Sequence, residues 1–271
     1  MIYGAIIGDM VGSRFEFDRG GRTKRFSLFT DESTFTDDTV MTIGLAQAFE
    51  FASHVLGSIN APEEDMKKAF RSMMQVWGRR YPAAGYGQSF YKWVMGKAEP
   101  YGSFGNGSAM RVSSVGWLYD SLEKTREVAR WTAEISHNHP EGIKGAECTA
   151  AVIYLARTGV SKEDIKWYVM QEFGYNMVYS VDEWRRMHKH VETCMDSMPK
   201  ALAAFLEGED FEDIIRNAVS LGGDTDTIGA IAGSMAEAMY GVPEDLKARC
   251  LIRLPEDMRE TVERLESWSR S

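Results

Sequence analysis

A chain of 271 residues with 44% apolar, 11% aromatic and 26% charged content falls in the range of globular proteins, which excludes a disordered, collagen-like or disulfide-knot chain. Forty acidic residues against 31 basic ones give a formal charge of −9 and argue against nucleic-acid binding, so a small anionic ligand needs a local positive site. Cys148, Cys194 and Cys250 are odd in number and too widely spaced for a CxxC clip or a disulfide framework, which points to a reducing, cytoplasmic compartment.

In chain order, the opening run MIYGAIIGDMVGSRFEF lacks a basic n-region and meets Asp9 early, so neither a signal peptide nor a membrane span is expected. Glu16 follows between two aromatics. Residues 18–36 form a long connection between apolar helices, the kind of loop that serves as a lid or binding loop. Apolar spacing near 3.6 then predicts helices over residues 39–51, 64–78, 125–137, 142–157, 181–206, 211–220, 227–240 and 257–268. Ser180 with Glu183 forms a capping box for the longest of these, and Asn60, Ser161 and Asp210 are further candidate caps. Residues 81–110 mix glycine, aromatics and a single helical turn. Alternating strands, fixed-period repeats and linkers are wanting, so the expected architecture is all-α, an irregular helical bundle forming one domain over residues 1–271.

Chemistry concentrates at two helix starts. Thr36-Asp37-Asp38-Thr39 and Gly222-Gly223-Asp224-Thr225-Asp226-Thr227 each place two carboxylates beside threonine hydroxyls just ahead of an apolar run. Taken singly, each reads equally as an N-cap whose acids complement the helix dipole. Should the two converge, each close pair of carboxylates costs on the order of 4 kcal/mol at about 4 Å in an effective dielectric near 20, a repulsion that divalent cations remove. Oxygen-only donors suit hard ions such as Mg²⁺ or Mn²⁺, and the chemistry implied is two-metal hydrolysis. Gly229 and Gly233 inside the following helix suggest close approach of other backbones. The run from Gly102 to Arg111 fails as a dinucleotide fingerprint, because Met110 stands at the third glycine position; a structural turn and a phosphate cradle remain open. His137 and His139 are spaced i, i+2, as are His188 and His190. Neither pair suits zinc on a helix, and the second reads as solvated.

These blocks, GAIIGDMVGSRFEF, FTDDTVM, GSFGNGSAMRV, SHNHPEGIKGAECTAAVIYLA and SLGGDTDTIGAIAGSMAEAMYG in this order, resemble the ADP-ribosylglycohydrolase family, of the dinitrogenase-reductase-activating glycohydrolase and ADP-ribosylhydrolase type. The resemblance runs from Met1 to about Gly241. It implies an all-α fold with a binuclear centre of two Mg²⁺ (or Mn²⁺) that hydrolyses the bond between ribose C1″ of ADP-ribose and a protein side chain or small acceptor. By position it implies Thr36, Asp37, Asp38, Asp224, Asp226 and Thr227 as metal ligands, and Glu16 as an acid/base that gates the metals. Gly102, Ser103, Phe104 and Asn106 fall on the loop that holds phosphates and ribose, and His137 on a histidine that contacts ADP-ribose. Asp37, Asp38 and Asp226 join Glu16 as the residues expected to carry catalysis. Arg19, Arg22, Lys24 and Arg25, with the Gly20-Gly21 pair, predict that residues 18–36 are a basic lid that closes over a pyrophosphate. Two other classes compete: a non-catalytic ADP-ribose-binding or crystallin-like relative, disfavoured because the four aspartates and Glu16 are all present, and a metal-dependent nucleotide phosphohydrolase, which would usually recruit an adjacent His-Asp pair.

Overall fold

Periodic apolar spacing with few prolines is realised as helix almost throughout. The computed structural model describes residues 1–19, 22–187 and 190–269, and among these lie fifteen α-helices and no strand. They are α1 (Tyr3–Gly12), α2 (Asp37–Phe51), α3 (Glu63–Arg80), α4 (Gln88–Met95), α5 (Gly107–Met110), α6 (Val115–Leu118), α7 (Leu122–Glu134), α8 (Pro140–Arg157), α9 (Lys162–Phe173), α10 (Val181–Arg186), α11 (Cys194–Glu207), α12 (Phe211–Ser220), α13 (Thr225–Tyr240), α14 (Glu244–Leu251) and α15 (Glu256–Trp268). None is long and apolar enough to cross a membrane, among the described residues.

The centre is an antiparallel pair, α1 on α13, and glycine makes it possible. Gly4, Gly8 and Gly12 recur every four residues and so share one face of α1. A Cβ added to Gly8 would lie 2.0 Å from the Gly229 carbonyl oxygen, and one on Gly4 2.1 Å from that of Gly233. No side chain fits between these backbones. Thr225 Oγ1 donates to the Gly12 carbonyl (2.8 Å), and at the other end the buried Glu237 carboxylate takes both the Met1 ammonium (2.8 Å) and the Gly4 amide (2.8 Å). The close approach inferred from Gly229 and Gly233 is thus present, with partner glycines Gly8 and Gly4 on α1 that sequence reasoning does not single out. Around this pair, α2 packs on α3, α8 on α7, and α11 and α12 on α13, sharing a core that includes Ile6, Met10, Ile43, Phe49, Phe205 and Ile231.

Where sequence and structure differ, hydrogen bonding is the reason. Residues 181–206 are not one helix but two, α10 and α11. Before Cys194 the chain runs extended beside the glycine-rich loop: Glu192 O accepts from Asn106 N (3.3 Å), Cys194 N donates to Phe104 O (3.1 Å), and Gly105 and Thr193 form an isolated bridge. The capping box of Ser180 with Glu183 is formed, and Ser161 and Asp210 cap α9 and α12. Asn60 caps nothing. Helix α3 starts after Pro62 with Glu63, Glu64 and Asp65 in its first turn.

Candidate functional site

Glu16 and the starts of α2 and α13 meet at one end of the α1/α13 pair. Thr36 caps α2, its hydroxyl accepting from Asp38 N (3.3 Å). What anchors that cap is Asp9, a wholly buried carboxylate on α1 that accepts from Thr36 N (2.9 Å), Thr36 Oγ1 (2.9 Å), Thr39 N (3.0 Å) and Thr39 Oγ1 (2.5 Å). Sequence reasoning passed over Asp9; the available signal was an acid inside the apolar run GAIIGDMVG, where only a paired carboxylate is tolerated. If the acids at the start of α2 hold a divalent cation, Asp9→Asn should weaken its binding about 10–100-fold, because one amide cannot accept on both sides and those acids lose their support. Titration calorimetry with Mn²⁺ checks this, and unchanged affinity would refute it.

At α13, the consecutive left-handed residues Gly222 (φ 73°) and Gly223 (φ 80°) turn the chain so that Asp224 and Asp226 enter the same space. Thr227 Oγ1 lies 3.3 Å from Asp38 Oδ2, joining two helix starts 189 residues apart. Carboxylate oxygens of Glu16, Asp224 and Asp226 all lie within 4.8 Å of one another. Asp37 belongs to the same field, held at its amide by Ala84 O (2.8 Å). Burial first, then the charge of Asp226, pushes the carboxyls of Asp9 and Glu16 up to about 7 and those of Asp37, Asp38 and Asp224 well above the usual carboxylate range; burial raises Asp226 itself. Asp226 is the hub of this repulsion. Asp38 Oδ1 is buried without a hydrogen bond among the described residues. An unmatched buried oxygen amid crowded carboxylates and hydroxyls suits a hard cation, so these residues could hold a metal.

The cluster lines a cleft of about 570 Å³ together with Phe17, residues 101–107, Arg111 and His137. The loop of residues 102–107 is tethered rather than free. Gly102 N donates to Asn138 Oδ1 (2.7 Å), Tyr101 N to Ser136 O (3.3 Å), and Asn106 Nδ2 to Asp224 Oδ2 (2.5 Å) and Ser197 Oγ (2.8 Å). Asn106 thus links the loop to the acidic cluster. Phe104 stands exposed against His139 (ring centroids 5.4 Å), and His137 is buried in the cleft wall.

Two sequence expectations are corrected. His190 is not merely solvated: its Nε2 lies 2.9 Å from Glu192 Oε1 and its ring 4.9 Å from Phe17, which lines the cleft. His188 lies outside the described residues. Two of the four cations of the basic lid find other partners: Arg22 donates to the carbonyls of Arg185 (3.2 Å) and Met187 (2.8 Å), and Lys24 pairs with Asp213, whereas Arg19 stays beside the cleft, its guanidinium carbon 5.2 Å from the ring centroid of Phe17. Arg216 holds the carbonyls of Lys24 and Phe26 (2.8 and 2.7 Å), so residues 22–26 are fastened to α10 and α12; Gly20 and Gly21 lie outside the described residues. A larger groove of about 750 Å³ beside α7 contains none of the expected site residues, and its charges answer one another, Arg126 with Glu147 and Glu172, Arg130 with Glu147.

Carboxylates brought together from separate helix starts, facing a cleft walled by a tethered glycine loop, define an all-α enzyme with an acidic centre able to hold metal. The chain belongs to the ADP-ribosylglycohydrolase family, whose model matches residues 1–270, and so to the ADP-ribosyl hydrolases. Its relatives include the mouse ADP-ribosylhydrolase ARH3, 27% identical over 91% of this chain and 85% of that protein, and the ADP-ribosylarginine hydrolase Tri1 of Pseudomonas putida (strain GB-1), 27% identical over 89% of this chain and 70% of that protein. In fold it resembles a solved structure described as an ADP-ribosylglycohydrolase-related protein complex, with a TM-score of 0.66 at 23% identity over 99% of this chain and 96% of that one.

Proposed function

We propose that the chain, acting as one domain, removes ADP-ribose from a modified side chain or small acceptor by hydrolysing the glycosidic bond at ribose C1″. The observation that carries this reading is the convergence of Glu16, Asp37, Asp38, Asp224 and Asp226 on one cleft beside a glycine loop. Thr36, Asp37, Asp38, Asp224, Asp226 and Thr227 would hold two Mg²⁺ or Mn²⁺. When bound, such ions act as Lewis acids toward the ribose hydroxyls and lower the pKa of a water. The protein's own part is electrostatic and prototropic. The aspartates place negative charge beside the sugar, where positive charge develops in an oxocarbenium-like transition state. Glu16, beside Asp224 and Asp226 in the cleft, can take a proton from the attacking water while the leaving nitrogen or oxygen gains one, so the C1″–acceptor bond breaks as a C1″–hydroxyl bond forms. Residues 102–106 and His137 would bind the ADP-ribose, and three unpaired cysteines fit a cytoplasmic location.

The decisive assay presents peptides ADP-ribosylated on arginine or on serine, and small ADP-ribosyl conjugates, and measures released ADP-ribose by mass spectrometry with Mg²⁺, with Mn²⁺ and with chelator. Release from at least one substrate, lost in excess EDTA, is expected. Release of inorganic phosphate instead would replace this reading with a phosphohydrolase.

Protonation gives a second check. Without metal, the cluster carboxyls titrate well above their values in the unfolded chain, so the native protein binds more protons between about pH 4 and 7 and its stability falls as pH rises through that window. Metal replaces those protons. The gain in Tm on adding cation at about 100 times its Kd at pH 8 should be about 5–8 °C at pH 8 and small at pH 5 with the same cation concentration. A gain independent of pH in differential scanning fluorimetry would mean that the ions bind elsewhere.

A further inference from the structure

Arg111 is wholly buried in the cleft wall, and among the described residues no carboxylate pairs with it. Its guanidinium carbon sits 5.6 Å from the Phe90 ring centroid. Nη2 donates to Thr132 O (2.9 Å) and to Ser136 Oγ (2.9 Å), while Nε and Nη1 find no partner among the described residues. A guanidinium has donors and no acceptor, so the direction of its bond to Ser136 is unambiguous: the hydroxyl oxygen accepts. The remaining hydrogen-bonding neighbour of that hydroxyl is His137 Nδ1, at 2.8 Å. If Ser136 gives its proton to Nδ1, each group is matched. The reverse, with Nδ1–H donating to Ser136, would leave a hydroxyl proton unpaired at a fully buried residue, a costly arrangement. An imidazolium would put a second cation beside Arg111, and burial together with that charge already holds the ring well below the usual histidine range.

The consequence appears on the other side of the ring. His137 is 4% exposed, and among the described residues no acceptor bonds to its Nε2. That nitrogen faces the glycine loop, where a Cβ on Gly107 would lie 3.0 Å from it and one on Gly105 3.5 Å; the missing side chains keep space in front of the ring. The groups packed against the imidazole are Phe90, Tyr101, Arg111 and this loop. We propose that Arg111 and Ser136 are positioning residues that set His137 as a neutral imidazole with its hydrogen on Nε2, so that the cleft presents one directed donor to a ligand oxygen at the loop of residues 102–107. That the oxygen belongs to ADP-ribose rests on the function proposed above; the relay itself does not. A neutral donor of this kind contributes to binding equally at pH 6 and pH 8, unlike a titrating histidine.

Two-bond proton–nitrogen correlation spectra of the full chain labelled with ¹⁵N-histidine test it, with His137→Gln supplying the assignment. The ligand-free wild type should show His137 as the Nε2–H tautomer, without titration, from pH 5.5 to 8. Ser136→Ala should shift the ring toward Nδ1–H and weaken ADP-ribose binding about 3–10-fold in calorimetry. An Nδ1–H ring, or one that protonates near pH 6.5, in the wild type overturns the proposal, as does a Ser136→Ala spectrum that keeps the Nε2–H signature. Should that variant fail to fold, the wild-type spectrum decides. An Nε2–H signature in a protein that does not bind ADP-ribose would sustain the relay and remove only the ligand.

Discussion

Asp226→Asn should lower kcat/KM on the order of 10³-fold or more while raising the Tm of the chelated protein. The first effect follows from taking away a carboxylate that Glu16 and Asp224 both approach within 4.8 Å; a cation's contribution to a transition state is several kcal/mol. The second follows from electrostatics. The Asp226 charge is a cause of the raised carboxyls at Asp9, Glu16, Asp37, Asp38 and Asp224, so its neutral isostere relieves five unfavourable interactions at once. A merely structural aspartate would give the opposite sign in stability. Steady-state kinetics and thermal melts in EDTA, run on the same preparation, separate the two. An active variant would remove Asp226 from the chemistry, and a less stable chelated variant would contradict the charge cluster.

The other large effect is expected far from any chemistry. Gly8→Ala should destabilise the protein by about 3–5 kcal/mol or prevent folding, because the new methyl would meet the Gly229 carbonyl at 2.0 Å and backbone cannot yield as a side chain does. Separating α1 from α13 would also displace Asp9 and Glu16 from Asp224 and Asp226, so activity should fall further than the folded fraction. Gly87→Ala is the comparison: its φ is −56° and nothing lies within 4 Å of the added atom, so the loss should stay below about 1 kcal/mol, the cost of a poorer N-cap for α4. Denaturant midpoints measure both. A Gly8→Ala protein as stable as the parent would mean that the helices can separate without cost.

Much of this protein was legible in its sequence because the informative patterns are local. Helical spacing, the Ser180–Glu183 capping box and the two acidic starts at Thr36–Asp38 and Asp224–Thr227 each depend on residues a few positions apart, and all are helix features in the structure. Gly229 and Gly233 announced a close contact for the same reason: a glycine inside a helix loses stability unless something comes near. Pairing across distance was another matter. Nothing local says that the stretch before Cys194 leaves the helix, since its hydrogen-bond partners are Phe104 and Asn106, some ninety residues earlier. Asp9 looked like an interruption of an apolar helix until Thr36 and Thr39 were seen to donate to it, and Arg22 and Lys24 looked available for a ligand until α10 and α12 supplied their partners. The identities of the chemical groups were written in the chain. Which of them share a low-dielectric space, with shifted protonation and fixed hydrogen-bond direction, depended on two glycine faces bringing α1 and α13 into backbone contact, because Coulomb and hydrogen-bond energies depend on separation in space rather than along the sequence.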